Sequence, residues 1–204
     1  MTDTTTTTTT TTAPTLIVSP NMLRAALLCA STEATRYYLR GVYVDPTGKL
    51  VATDGHRMFV GKLAGRFDLA AAAVEPGSFP GWIICRDALK RALTGYKQDM
   101  ILISPTRIGD LTCEPVDGNY PDWTRVIASR QPNGTPTQFN PAYVADMGKI
   151  GTLLTGNRGG YTTHFHHSGD GPCGVTFPGC DDAYAVLMPV RASHTAEDWA
   201  RISA

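Results

Sequence analysis

The densest chemistry in the chain sits at Thr53-Asp54-Gly55-His56-Arg57, five small or polar residues between two hydrophobic runs. A loop that only had to turn would need two or three such residues. Asp54 and His56 occupy alternate positions, share a face of an extended segment, and could form an acid–base dyad. No Ser, Cys or Thr nucleophile is tied to them by motif, and the chain has no GxSxG, P-loop or HExxH pattern. The protein therefore reads as a non-enzyme. A second cluster is His164, His166, His167, Cys173 and Cys180. His164 and His166 would point to one face of a strand. Zinc sites use tighter ligand pairs such as C-x2-4-C or H-x3-5-H. The irregular spacing predicts strand or turn histidines, with no metal and no cofactor.

Three local elements must position the first cluster. Arg36–Val44 mixes aromatic and β-branched residues, which suits a pleated surface, and predicts a strand. Asp45-Pro46-Thr47-Gly48 supplies turn chemistry, since Pro presets φ and Gly permits φ > 0. Leu50-Val51-Ala52 resumes an extended run, and a third strand starts after Arg57.

The same order recurs along the chain. Leu16-Ile17-Val18 is a short strand, and Ser19-Pro20 an N-cap with Pro at the first helical position. Met22, Leu23, Ala26, Leu27 and Ala30 follow at helical spacing. Arg66–Pro80 is an Ala/Gly/Pro-rich connection in which Ala70–Ala73 could add a helical turn. Trp82-Ile83-Ile84 then reads as a strand, Arg86–Leu93 as a helix, and Met100–Ile103 and Arg107–Val116 as strands. Asp117-Gly118 turns the chain into Asn119–Ile127. Past the linker Ala128–Pro136, Gln138-Phe139 ends a strand and Asn140-Pro141 repeats the cap. Tyr143, Val144, Met147, Ile150 and Leu154 form a helical stripe, followed by strands at Tyr161–His166, Val175–Phe177 and Tyr184–Met188. Three strand–helix–strands units result, and internal repetition of this kind governs the architecture. The fold class is α+β, with helices on one face of antiparallel sheets. The expected organisation is a Thr-rich disordered tail over 1–14, a two-unit domain over 15–127, a linker over 128–136, a half domain over 137–191 and a polar tail over 192–204, whose bulky apolar residue is Trp199.

Composition narrows the class without naming it. Eighteen basic and eighteen acidic residues among 204 cancel, so a nucleic-acid partner would need a local basic face. No apolar run approaches the ~18 residues of a membrane span, so no membrane partner is expected. Five cysteines, an odd number without CxxC, suit reduced thiols in a cytoplasmic protein better than a disulfide framework. Asn133-Gly134-Thr135 reads as a plain turn.

Four blocks, TRYYLRGVYV, LVATDGHRMFV, NYPDWTRVI and YAVLMPVR, resemble in type and order those of the bacterial sliding clamp, the beta subunit of DNA polymerase III. The resemblance runs from about Leu16 to Arg191. It implies a DNA-clamp fold, in which each domain is a pair of such units and six domains close a ring around DNA with helices facing the hole. The full-length family has six units per chain. This chain resembles a reduced form, with the two middle-domain units followed by the last unit of the C-terminal domain, and its second unit looks short between Ile103 and Tyr120.

The resemblance also implies a groove for a hydrophobic partner peptide, carried onto Leu39, Thr53, Gly55, His56, Arg57, Met58, Pro121, Val126, Val186, Met188, Val190 and Arg191. Leu39, Met58, Val126, Val186 and Met188 would wall an apolar cleft, and Met adapts to varied ligands. Judged by residue type alone, an ordinary strand-and-turn core is the commoner use of such residues. Arg24, Arg86, Lys90, Arg91 and Lys149 lie on the three helices and would face phosphates without reading sequence, although a solvated helix face is the commoner use of such residues.

The function expected is a DNA sliding clamp-like processivity factor that encircles or binds double-stranded DNA, serving a polymerase or other peptide-bearing proteins, with a clamp loader as a further candidate partner. The alternative is a clamp-derived module that sequesters clamp-binding peptides without forming a ring. Units used in pairs but present as three leave one over, and the expectation is that third units pair between chains about a two-fold axis. A closed ring on the family plan then requires a homotetramer rather than a dimer.

Overall fold

The computed structural model describes residues 14–63, 79–128, 138–156 and 163–190. The expected Thr-rich tail, the Ala70–Ala73 turn, most of the 128–136 linker, Arg191 and Trp199 lie outside the described residues. The first unit is β1 (Leu16–Val18), α1 (Pro20–Cys29), β2 (Gly41–Asp45), β3 (Lys49–Thr53) and β4 (Arg57–Lys62). The second is β5 (Trp82–Cys85), α2 (Arg86–Leu93), β6 (Ile101–Ser104), β7 (Arg107–Ile108) and β8 (Leu111–Thr112), extended by β9 (Pro115–Val116) and α3 (Thr124–Ala128). The third is α4 (Pro141–Thr155), β10 (His164–His166), β11 (Cys173–Phe177) and β12 (Cys180–Leu187).

Local chemistry explains most of these elements. Pro20 and Pro141 open α1 and α4 at positions whose N–H has no helical acceptor. Asn140 caps α4 by accepting the Ala142 N–H at 3.0 Å, and Gly156 ends it in the left-handed conformation. In the β2–β3 turn the Asp45 carboxylate accepts the Thr47 N–H at 2.7 Å, and Gly48 takes φ 82°.

Three local expectations are corrected. Strand structure begins at Gly41, not Arg36, because Tyr37–Leu39 forms a 3-10 turn. That turn buries Leu39 and lets its carbonyl accept the Ser31 N–H at 3.0 Å, so tertiary contact overrides the β-propensity of the tyrosines. Arg107–Val116 is three two-residue strands, because Gly109 turns the chain at φ 54°. The second unit therefore keeps its strands in shortened form. Gln138 makes an isolated bridge to Val190 rather than a strand.

The sheets show how the units combine. One sheet has the order β1-β6-β7-β8 and the other β10-β11-β12-β4-β3-β2-β5-β9. The first strand of each of the first two units thus crosses over: β1 pairs with β6 of the second unit, and β5 with β2 of the first. The third unit has no companion unit of its own in the expected organisation. It also joins the first through the antiparallel β12–β4 ladder, and α4 packs on α1. The main core lies between the helices and the sheets, around Leu23, Leu50, Phe59, Leu89 and Met147. A smaller core, Val51, Met58, Val60, Trp123 and Val186, lies on the opposite face of the larger sheet. Alternation along β4 assigns Met58 and Val60 to that face and Phe59 to the helices.

Candidate functional site

The 53–57 loop is tied to itself. Thr53 Oγ1 donates to the Arg57 carbonyl at 2.7 Å and accepts the Gly55 N–H at 3.0 Å. Asp54 Oδ1 accepts the N–H groups of His56 and Arg57 at 2.9 and 3.0 Å. Gly55 sits at φ 91°, where a Cβ would be strained and would meet Arg36 Nη1 at 3.0 Å. Asp54 is therefore committed to the loop backbone. The His56 ring stacks on Tyr143 of α4, with centroids 6.0 Å apart, rather than on the Asp54 carboxylate. No Asp–His dyad is assembled.

Arg57 points to the helices. Its Nε donates to Asp54 at 3.0 Å, its Nη1 to Asp146 of α4, and its guanidinium lies 4.5 Å from the Tyr143 ring centroid. Burial disfavours the Arg57 cation, yet the Asp146 hydrogen bond and the Asp54 charge hold its pKa above the usual value. Burial likewise works against the Asp146 carboxylate, but Lys149 and Arg57 together hold its pKa below the usual carboxylate range. Lys149 Nζ is 2.6 Å from Asp146. This network joins the first unit to the third. Beside it lies a polar cavity of about 330 Å³, bounded by Ser31, Glu33, His56, Arg57, Arg86 and Tyr143. The Cys29 thiol near it is fully buried, and burial pushes its pKa up to about 12, so it stays protonated.

On the other face, Met58 stands opposite Val186 in the β4–β12 register, and the Met188 N–H donates to the His56 carbonyl at 2.8 Å. Thr53, Gly55, His56, Arg57, Met58, Val186 and Met188 thus meet along one junction. Val126 packs on the Met58–Val186 cluster, and Leu39 is buried in the 3-10 turn outside it. Met58 and Val186 are 3% and 2% exposed beneath Trp123. They form the floor of the junction. Met188 and Val126 are half-buried, and Pro121 and Val190 are exposed, the last 48%. Sequence reasoning missed Tyr143 and Asp146 as junction residues. Tyr143 stands out in the sequence only as part of a helical stripe.

The expected phosphate-facing residues divide. The Arg24 guanidinium donates to the carbonyls of Leu93 and Tyr96 at 3.1 and 2.7 Å, at the end of α2. Arg86 Nη1 donates to the Leu27 carbonyl in the last turn of α1 at 2.9 Å, and burial lowers its pKa. Each helix end is thus capped by the other unit's arginine. Lys149 is held by Asp146. Lys90 and Arg91 are exposed in the last turn of α2, and neither makes a side-chain ion pair or hydrogen bond among the described residues.

The histidine cluster does not converge. His164 and His166 are exposed on β10, His166 Nε2 is 2.8 Å from Thr176 Oγ1, and the His167 ring stacks against Phe139 and Phe165. Among the described residues no group of three or more His, Cys, Asp or Glu side chains could hold a metal. Nor is any helix there long and apolar enough to cross a membrane.

Paired units with exchanged first strands, helices on one side and a sheet running through the junction define a DNA-clamp fold. Within that class, the chain is similar in part to the bacterial DNA polymerase III beta subunit, the sliding clamp. The beta sliding clamp of Caulobacter vibrioides (strain NA1000 / CB15N) is 32% identical over 114 residues, covering 48% of this chain and 29% of that protein. The DnaN sliding clamp of Bartonella birtlesii, solved bound to griselimycin, superposes with TM-score 0.61 at 22% identity, covering 88% of this chain and 66% of that one. The Bacillus subtilis DNA polymerase sliding clamp gives 0.62 at 18% identity, covering 87% and 64%. The chain thus spans less than a third of the curated clamp and about two thirds of the solved ones. No protein-family model matches the chain.

Proposed function

We propose that this protein is a sliding clamp-like processivity factor, a non-catalytic accessory in DNA replication. It holds double-stranded DNA without reading sequence, and it docks a polymerase or another protein through a short hydrophobic peptide. The observation that carries this reading is the β4–β12 junction, where the TDGHRM loop and the YAVLMP strand, far apart in sequence, meet. A peptide anchor would sit against Met188, Val126, Pro121 and Val190, with Thr53, Gly55, His56, Met58 and Val186 shaping the floor, Leu39 backing it from the 3-10 turn and Arg191 completing the rim. Arg57 would act by fixing the junction through Asp146. Lys90 and Arg91 would supply the main phosphate contacts, with Arg24, Arg86 and Lys149 adding positive potential behind them. The setting would be cytoplasmic, with a loader needed if the ring closes. Three units per chain require four chains for the family's ring, so the assembly proposed is a homotetramer built from dimers. The count of three also favours a second reading, a ringless module that competes for clamp-binding peptides.

Retention on nicked circular DNA, before and after linearisation, tests the proposal. A ring is retained on the circle and runs off the cut ends. Protein equally lost from both, yet still binding a clamp-binding peptide, is the ringless module.

A further inference from the structure

We propose that Cys85 and Cys113 are a dithiol that a hydroperoxide closes to a disulfide, stapling the start of α2 to the segment between β8 and β9. The inference is independent of the clamp reading, since it uses neither the peptide junction nor DNA.

Topology brings the two cysteines together although α2 and three strands separate them in sequence. β5 ends at Cys85, and Ile84 stands opposite Pro115 of β9 in an antiparallel register. Continued past that pair, the register sets Cys85 opposite Glu114, next to Cys113. Opposed Cα atoms of an antiparallel pair are about 5 Å apart, and one further residue adds about 3.4 Å along the strand. Residues one step out of register are therefore about 6 Å apart at Cα, inside the range that a disulfide bridges.

The side chains share a side. Strict alternation would set Cys85 on the outer face with Ile83, but the chain turns into α2 there, with Cys85 as the N-cap residue. Both cysteines are half-buried and pack against the main core. Along the other segment Leu111 and Cys113 pack on that core, whereas Thr112 and Glu114 are exposed. On its opposite flank Cys85 faces Gly41 in the β2–β5 register, so no cross-strand side chain fills that side. The thiols also lie in each other's field. Burial and the charge of Cys85 push the Cys113 thiol up, and Arg91 in the last turn of α2 pulls it down.

The other three cysteines are placed differently. Cys29 and Cys173 are fully buried, and Cys173 Sγ donates to the Gly174 carbonyl at 3.5 Å. Cys180 is half-buried, but it stands on β12, with β4, β3 and β2 between it and β5.

The oxidation balances with a hydroperoxide. One thiolate attacks the peroxide, the O–O bond breaks, and water or an alcohol leaves as a sulfenic acid forms. The second thiolate attacks that sulfur, the S–O bond breaks, and the released hydroxide takes a proton and leaves as water. The two thiols together lose two electrons and two protons, and a thiol reductant reverses the bond. The cross-link closes a loop over α2, β6, β7 and β8 and restricts the unfolded chain, so the oxidised protein is the more stable form.

Hydrogen peroxide applied to the full chain tests this. Thiol titration in denaturant is expected to fall from five by two and to return to five with dithiothreitol. Digestion without reductant is expected to yield a peptide pair joined between Cys85 and Cys113. The urea midpoint of the oxidised wild type should rise above that of the reduced protein, with no such rise in Cys113→Ser. The cross-link is mapped in the wild type, so that result does not depend on the variant folding. Five thiols after treatment, sulfinic acid at Cys85 or Cys113, or a cross-link to Cys180 instead overturns the proposal. A Cys85–Cys113 link that leaves the midpoint unchanged or lowers it refutes the staple.

Discussion

Arg57 and Asp146 form an ion pair between the first and third units, 89 residues apart in sequence. Their side chains are 13% and 16% exposed, so solvent screens the pair only weakly. Asp146→Ala leaves Arg57 with Asp54 alone and is expected to cost about 1–3 kcal/mol, the range for lost charge-assisted hydrogen bonds. Urea unfolding of wild type and variant measures it. The Asp146 carboxyl titrates below its usual range in the folded state. Its contribution is therefore complete above the unfolded carboxyl value of about 3.9 and fades as pH falls through the folded value. The stability gap between wild type and Asp146→Ala should be constant near neutrality and close in acid.

The arginines Arg24 and Arg86 should separate from Lys90 and Arg91 in the last turn of α2. Arg24→Ala removes a cap from Leu93 and Tyr96 and should lower stability by about 1–2 kcal/mol. Lys90→Ala with Arg91→Ala should leave stability within about 0.5 kcal/mol, as exposed substitutions do. The same pair should reduce the salt slope of DNA binding by about one per lost phosphate contact. Thermal melts and affinity measured across a salt series read the two effects separately. Unchanged slopes in the double variant would show that α2 does not face DNA.

Peptide docking is expected to depend on the rim. Met188 is half-buried at the junction, and Met188→Ala together with Val186→Ala should weaken a clamp-binding peptide by about 2 kcal/mol or more. Because Val186 is part of the smaller core, Met188→Ala alone is the cleaner probe of the rim. Fluorescence anisotropy with a labelled peptide gives the affinities. Values equal to wild type within error would sink the groove assignment.

The smaller core hangs on a polar contact. Trp123 Nε1 donates to Asp45 Oδ2 at 3.0 Å, while Asp45 also ties the β2–β3 turn through Thr47. Trp123→Phe keeps an aromatic ring but removes a partner from a carboxylate that is 8% exposed. A loss of about 1–3 kcal/mol is expected, measured by denaturant unfolding. A near-neutral result would mean that water replaces the indole.

Sequence alone determined the repeat. Strand runs, Ser19-Pro20 and Asn140-Pro141 caps, and the Asp45–Gly48 turn act within a few residues, so local chemistry makes them legible. The loop at Thr53–Arg57 was legible for the same reason, since its hydrogen bonds are its own. The 3-10 turn at Tyr37–Leu39 was not, because burial of Leu39 against the rest of the fold decides it over the β-propensity of the tyrosines. Only the tertiary structure decided which strand joins which unit, since β1 and β5 carry no local mark of the crossover. It also decided which cations are free: Arg24 and Lys90 look alike in sequence, yet one reaches carbonyls about seventy residues away and the other reaches water. Charge is a property of a residue, whereas pairing is a property of the space around it.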